Sequence, residues 1–144
     1  MANQQFSMEK ILDWRMDLEE EARLVVTNLK DRLLMENNQL QELIRENRRV
    51  KSEAMDSVHI QALRYNDYYK MVIDEKIIHQ KNQIDRTNVE IKTAHQQLIG
   101  AHTDRKAMEK LKEKELLTRH LNDQRNEQMQ LDEFATMSYK RYAI

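Results

Sequence analysis

Histidine is the first residue type to test for chemistry here, because neutral imidazole binds metals and titrates close to neutral pH. The five histidines are His59, His79, His95, His102 and His120. No two of them are four residues apart, as a helical zinc pair of the H-E-x-x-H kind requires. A ferritin-like di-iron centre needs two Glu-x-x-His units on facing helices. The nearest spacing is a lone Asp56-x-x-His59. The chain has no cysteine, which removes thiolate metal sites and disulfides. A single glycine excludes the phosphate-cradling G-x-x-x-x-G-K-[ST] loop. These residues read as histidines on a solvated surface: no catalytic residue, no cofactor and no metal is expected.

The elements that carry them follow from what the chain lacks. It has 144 residues, no proline, and Gly100 as its one glycine, so little in it asks to turn. Charged residues make up 34% and aromatics 6%. Glu, Lys, Arg, Gln, Leu and Met recur, and their straight side chains lose little freedom in a helix. A mean hydropathy of -0.91 leaves apolar surface for a seam between helices rather than a broad core. The net charge of -1 gives no bulk attraction to nucleic acid or to an anionic membrane. Met1 to Phe6 is polar, and no apolar run approaches the roughly 20 residues of a membrane span. The expectation is a soluble protein of a reducing compartment that works by touching partners.

Apolar residues fall on a heptad-like stripe, the mark of a coiled-coil seam. Early in the chain it reads Ile11, Leu18, Val25, with a stutter through Leu29 to Leu33. From Val26 it settles as Val26, Leu29, Leu33, Glu36, Leu40, Leu43, Asn47 and Val50. A second seam runs Ile73, Ile77, Ile84, Ile91, Ala94, Leu98, Ala101 and Met108. Between them the stripe lapses over Lys51 to Ala62, where Ser52, Asp56 and Ser57 favour helix starts and turns. The fold class is therefore all-α: one coiled-coil domain over 1–144, with a helix over 6–51, a turn over 52–62 and a helix over 63–140, folded as an antiparallel two-helix hairpin. In that hairpin Leu40 lies near Ile77, Leu33 near Ile84, Val26 near Ile91 and Leu18 near Leu98. Gly100 then faces Trp14 to Leu18, as a point of close approach or as a tolerated weak spot.

Phe6 pairs near Lys110 in this register, so the chain from Leu111 on is an unpaired overhang. Its stripe changes phase to Leu117, Leu121, Gln124, Gln128, Leu131 and Ala135. An amphipathic segment without an internal partner is flexible or awaits one. Three further features stand out. Arg45, Arg48, Arg49 and Lys51 are interspersed with Glu42, Glu46 and Glu53 and read as a solvated face. Tyr65, Tyr68 and Tyr69 form a docking patch, or one of them caps the seam while the others lie idle. The stretch from Arg105 to Leu117 carries both signs and opens the overhang, where it can meet charged loops of a partner. Asn47, Glu36, Thr87 and Arg105 in the seam weaken packing while fixing register.

Four segments carry a resemblance. They are F-S-M-E-K-I-L-D-W-R-M-D-L-E-E-E-A (Phe6 to Ala22), Y-Y-K-M-V-I-D-E-K-I-I-H-Q (Tyr68 to Gln80), A-H-T-D-R-K-A-M-E-K-L-K-E-K (Ala101 to Lys114) and L-D-E-F-A (Leu131 to Ala135). In their order and spacing the chain resembles the FliJ family, coiled-coil components of the bacterial flagellar type III export apparatus. The resemblance implies an antiparallel coiled coil similar to the gamma-subunit stalk of rotary ATP synthases. It implies a cytoplasmic protein, peripheral at the membrane-embedded apparatus. Its partners would be a hexameric export ATPase whose assembly it promotes, the cytoplasmic domain of the export-gate membrane protein, and export chaperones. Carried onto this sequence, the ATPase-contacting residues are Phe6, Arg15, Arg105, Lys106, Leu111, Leu131 and Phe134. The gate-contacting residues are Gln39, Leu43, Val50, Tyr69, Ile73 and Gln80, with Glu46 and Lys76 departing from the family pattern. Rival readings are the equivalent stalk of an injectisome, a generic structural coiled-coil adaptor such as a parallel rod of ~210 Å, and a metal-dependent helical bundle.

Overall fold

Forty-eight residues without glycine or proline form the first helix, α1, over Glu9–Asp56, and 83 residues form the second, α2, over Ile60–Tyr142. The computed structural model describes residues 6–56 and 60–142. Of the expected turn over 52–62, residues 52–56 and 60–62 are helical, and 57–59 lie outside the described residues. Each helix has a suitable charge at one of its ends. Glu9 sits in the first turn of α1, and Lys140 and Arg141 in the last turn of α2, opposite in sign to the helix dipole at each place.

The two helices pack against each other as a helical hairpin, as the sequence predicts, and cross-helix pairs run in antiparallel order. Ser7 meets Glu115, Arg15 meets Asp104 and Glu19 meets His102 at one end. Arg32 meets Glu90, and Glu46 meets Tyr69, further along. Contacts group the chain into two units: Met1–Glu19 with Ala101–Ile144 (the terminal unit), and Glu20–Gly100 (the inner unit).

Burial defines the seam residue by residue. On α1 it comprises Leu12, Arg15, Glu19, Ala22, Val26, Leu29, Leu33, Glu36, Leu40, Leu43, Asn47 and Val50, all buried or half-buried. These positions alternate steps of three and four without interruption. The expected early stripe of Ile11, Leu18 and Val25 is not the seam, since Ile11 and Val25 are 44% and 48% exposed, although Leu18, beside the seam residue Glu19, is half-buried. No stutter is needed, because the regular spacing from Val26 leads back through Ala22, Glu19 and Arg15 to Leu12. On α2 the seam runs from Ile73 through Ile77, Gln80, Ile84, Thr87, Ile91, Ala94, Leu98, Ala101, Arg105 and Met108. It then continues through Lys112 and Glu115 to Arg119.

The observed pairs shift the expected register by roughly three residues, close to one helical turn. Phe6 is buried, and it lines a groove with Leu111, Lys114, Glu115, Thr118 and Arg119. The stretch expected to overhang from Leu111 is therefore engaged as far as Arg119. From His120 to Met137 every residue is exposed. Gly100 faces open space, with nothing within 4 Å of the position its Cβ would take. Of its two readings, close approach fails and the weak spot stands.

The inner unit is registered by one buried polar contact. Thr87 has 0% of its surface exposed, and its hydroxyl donates to Glu36 Oε2 at 2.7 Å. Arg32 Nη2 donates to the same hydroxyl oxygen at 3.3 Å and to Glu90 at 2.7 Å. Gln80 Nε2 reaches across to the Glu36 carbonyl at 2.8 Å. Replacing Thr87 by Val leaves the Glu36 carboxylate short of a donor in a buried seat, which should cost about 1–3 kcal/mol. Adding Glu36→Leu should recover that loss, because two matched apolar groups need no hydrogen bond. Urea titrations of the wild type, both single variants and the double variant measure the coupling, and strictly additive effects would refute it. Gly100→Ala should stabilise the protein by about 1 kcal/mol, the difference in helix propensity at an unhindered position. Circular dichroism melts check this.

Candidate functional site

Two regions concentrate the residues of interest, one in each unit. The terminal unit starts from a short turn. Phe6 O accepts from Glu9 N at 3.1 Å, and Met8 O accepts from Ile11 N and Leu12 N. The turn aims the Ser7 N–H at Glu115 Oε2, 3.1 Å away on α2. Phe6 is thereby seated on α2, and Leu12 is the next buried apolar side chain.

Beyond Leu12 the terminal seam is charged. Glu19 is buried and takes His102 Nδ1 at 2.9 Å as well as Arg105 Nε. Arg105 also binds Glu109, one turn on. His102 Nδ1 lies 3.2 Å from Arg105 Nη2, but a nitrogen that donates to a carboxylate cannot also accept from a guanidinium. The shorter, charge-favoured bond to Glu19 takes precedence. Arg15 pairs with Asp104 at 3.2 Å and lies 4.7 Å from the Trp14 ring centroid, a cation–π distance. Lys112 reaches Glu9, and Arg119 reaches Glu115, each at 3.2 Å. The His102 hydrogen bond, then the Arg105 bond and charge, hold the Glu19 carboxyl below its ordinary range, although burial opposes them. The Ser7 N–H does the same for Glu115, and Glu19 and Glu109 raise Arg105 further.

The predicted ATPase-contacting residues divide accordingly. Phe6 is buried in the hairpin, and Arg15 and Arg105 are committed to carboxylates within it. Lys106, Leu111, Leu131 and Phe134 are exposed, with Phe134 at 72%. The structure brings Phe6 and Leu111 into one groove. Leu131 and Phe134 lie far along α2, in the stretch beyond Arg119.

In the inner unit, Glu46 gathers a cluster. Tyr69 donates its hydroxyl to Glu46 Oε1 at 3.1 Å, and Arg49 binds both Glu46 and Glu53. Arg49 above all, with Tyr69, holds the Glu46 carboxyl low, while the carboxylate raises the Tyr69 hydroxyl. Gln80 and Gln39 meet at 3.3 Å. Leu43 lines a shallow groove with Val72, Glu75, Lys76, His79 and Gln80. Val50 and Ile73, placed in the gate-contacting set by the resemblance, are each 2% exposed and belong to the seam. Tyr65 and Tyr68 stand free at 70% and 69% exposure, while Tyr69 is engaged.

Of the Glu19–His102–Arg105 cluster only Arg105 was named as a site from the sequence, and Glu46 was named only as a departure from the family pattern. Backward extension of the regular seam from Val26 places Glu19 inside it, and that signal was available. Among the described residues, no group of three or more His, Asp or Glu side chains gathers as a metal site. Nor is any described helix long and apolar enough to cross a membrane. A family model described as the flagellar FliJ protein matches residues 4–143. No curated protein and no solved structure matches the chain.

The charged terminal seam makes a pH prediction. Glu19 and Glu115 both have folded values below their unfolded ones. Their stabilisation is therefore present in full above pH about 4.5, the ordinary value, and is lost as pH falls through the folded values. Glu19→Gln should melt lower than wild type at pH 7, with the gap closing as the pH approaches 3. A gap that stays constant over that range would show that the carboxylate's charge is not what stabilises the seam.

Proposed function

Because the chain belongs to the flagellar FliJ family and is thus a component of the flagellar export apparatus, we propose that it acts there as a stalk. In this reading its terminal unit enters the hexameric export ATPase and promotes ring assembly, in the manner of the central stalk of a rotary ATP synthase. The inner unit engages the cytoplasmic domain of the export gate, and the exposed faces receive export chaperones. The observation that carries the reading is the state of residues 120–142: a helical segment that rises from a packed hairpin with every residue from His120 to Met137 exposed. Such a segment presents Leu121, Leu131 and Phe134 to a partner without first having to fold.

Lys106 and Leu111 join that surface, while Phe6, Arg15 and Arg105 support it from within. On the gate side, Leu43, Gln39, Gln80 and Tyr69 are the members of the set within a partner's reach, beside the exposed Lys76 and His79. Val50 and Ile73 act by holding the helices together. Attachment near the membrane goes through these protein contacts.

ATP hydrolysis by the cognate export ATPase should rise when the chain is added, and electron micrographs should count more rings. Deleting 120–144 spares the contacts of Phe6 with Leu111 to Arg119. That variant should fold, as circular dichroism will show, and should lose at least tenfold of the stimulation. Unchanged turnover and ring counts with folded full-length chain would overturn the reading.

A further inference from the structure

The second helix has two working faces within the terminal unit. Over 101–119 it turns Ala101, Arg105, Met108, Lys112, Glu115 and Arg119 toward the α1 segment that carries Phe6 to Glu19. The heptad-spaced stripe that follows is Leu117, Leu121, Gln124, Gln128, Leu131, Ala135, Ser138 and Tyr142, with three polar members among its apolar ones. Its steps of four and three continue for more than three heptads, but its first member, Leu117, lies two residues from both Glu115 and Arg119. Two residues are about 200° of helix rotation. The stripe therefore lies on the side of α2 opposite α1, and α1 could not cover it even if it were longer. Leu117, Leu121 and Leu131 are 59%, 46% and 63% exposed.

We infer that this stripe pairs with the same stripe of a second copy of the chain, in antiparallel register. The charges flanking the stripe select that occupant and that direction. In an antiparallel pair the positions on one flank of each helix face the same flank of the other. Aligning Leu121 with Ser138 of the second copy, and Gln128 with Leu131 of the second copy, sets Arg125 beside Asp132 of the second copy. By symmetry the ion pair forms twice. A parallel pair faces opposite flanks and sets Glu127 against Asp132 of the second copy, so it is disfavoured by like charge. Shifting the antiparallel register by one heptad sets Arg125 against Arg125, or Asp132 against Asp132. The segment 120–142 carries four carboxylates and three cations, so two copies meet without strong net repulsion.

The layers place large side chains against small ones, Leu121 on Ser138 and Gln124 on Ala135, with the two glutamine positions near the dyad. Polar residues at such positions fix register and orientation and lower stability. The pair is therefore weak and reversible. It occupies the surface that the stalk reading gives to the ATPase, so a paired copy is one held out of the ring. The pairing itself stands or falls without that reading.

The absence of cysteine in the chain makes the test direct. Full-length Leu121→Cys and Ser138→Cys variants, each folded by circular dichroism, are oxidised alone and as an equimolar mixture. The mixture should form the mixed disulfide at least tenfold faster than either variant alone forms its own. Sedimentation equilibrium of the wild type should show mass rising above 17.4 kDa toward twice that value with concentration. Leu131→Lys, at a site outside the hairpin, should abolish the rise while leaving unchanged the melting curve recorded at a concentration where the wild type sediments as a monomer. Rapid disulfides in each variant alone would mean parallel pairing and would overturn the inference. So would a mass that stays monomeric into the millimolar range. Both readouts use the isolated chain, so their failure leaves the ATPase experiment untouched, and the converse holds.

Discussion

One buried hydrogen bond between helices, Thr87 to Glu36, constrains the inner unit more than any apolar contact does. A seam of Leu, Ile and Val gains nearly the same burial in registers one turn apart, because dispersion and the hydrophobic effect have little direction. A carboxylate that must leave water is less forgiving: it needs donors at hydrogen-bond distance, and it has them in one register only. Arg32 reinforces the choice by spanning Thr87, Glu36 and Glu90, as does Gln80 by bonding to a backbone carbonyl on α1. With that register held, Val26 and Val50 on α1, and Ile73 and Ala94 on α2, are buried together along the seam.

The terminal unit answers the same need in a different way. Its seam alternates Phe6 and Leu12 with Arg15, Glu19, Arg105, Lys112, Glu115 and Arg119. Ion pairs at such positions, half-exposed at Arg15 and Lys112 and buried at Glu19, contribute little net stability, since desolvation offsets much of the attraction. They do define which side chains may meet. The two apolar anchors supply the attachment, and the charges supply the specificity. This unit is consequently the part of the molecule where acid should be felt most and where a partner's charges can compete.

The seams were legible in the sequence wherever β-branched residues and leucine hold the three–four spacing, from Val26 to Val50 and from Ile73 to Met108. The hairpin followed from those seams and from the lapse between them. The legibility failed where the seam is charged. Ile11 and Val25 mimic a stripe beside the true one, whose members there are Arg15, Glu19 and Ala22. The register came out one turn away because apolar residues face apolar residues in either alignment, and only the polar partners discriminate between them. The start of the free segment moved with it, from Leu111 to the residues after Arg119. Partner-facing residues were harder still. Periodicity reports which positions face the other helix, so it identified Val50 and Ile73 as apolar seam candidates but carried no information on which exposed flank a partner would use. The family resemblance proposed that flank, and burial then divided its residues into those a partner can touch and those that hold the helices together.

A helix of some 20 residues with few apolar side chains is marginal in water when it stands alone, because nucleation is costly and each added residue gains little. Residues 120–142 escape the nucleation cost. They extend a helix already nucleated and packed over 101–119, and Lys140 and Arg141 in their last turn oppose the helix dipole. The sequence alone admitted two states for this segment, flexible or awaiting a partner. Continuity with the packed helix supplies the physical reason that it is helical rather than flexible. Whatever binds there meets a surface whose backbone order was established by contacts elsewhere in the unit, so the ordering cost that weakens coupled folding and binding is largely absent. It follows that changes in the packed base, at Phe6 or Leu12, would be felt at Leu131 and Phe134 through loss of helix order rather than through any direct contact.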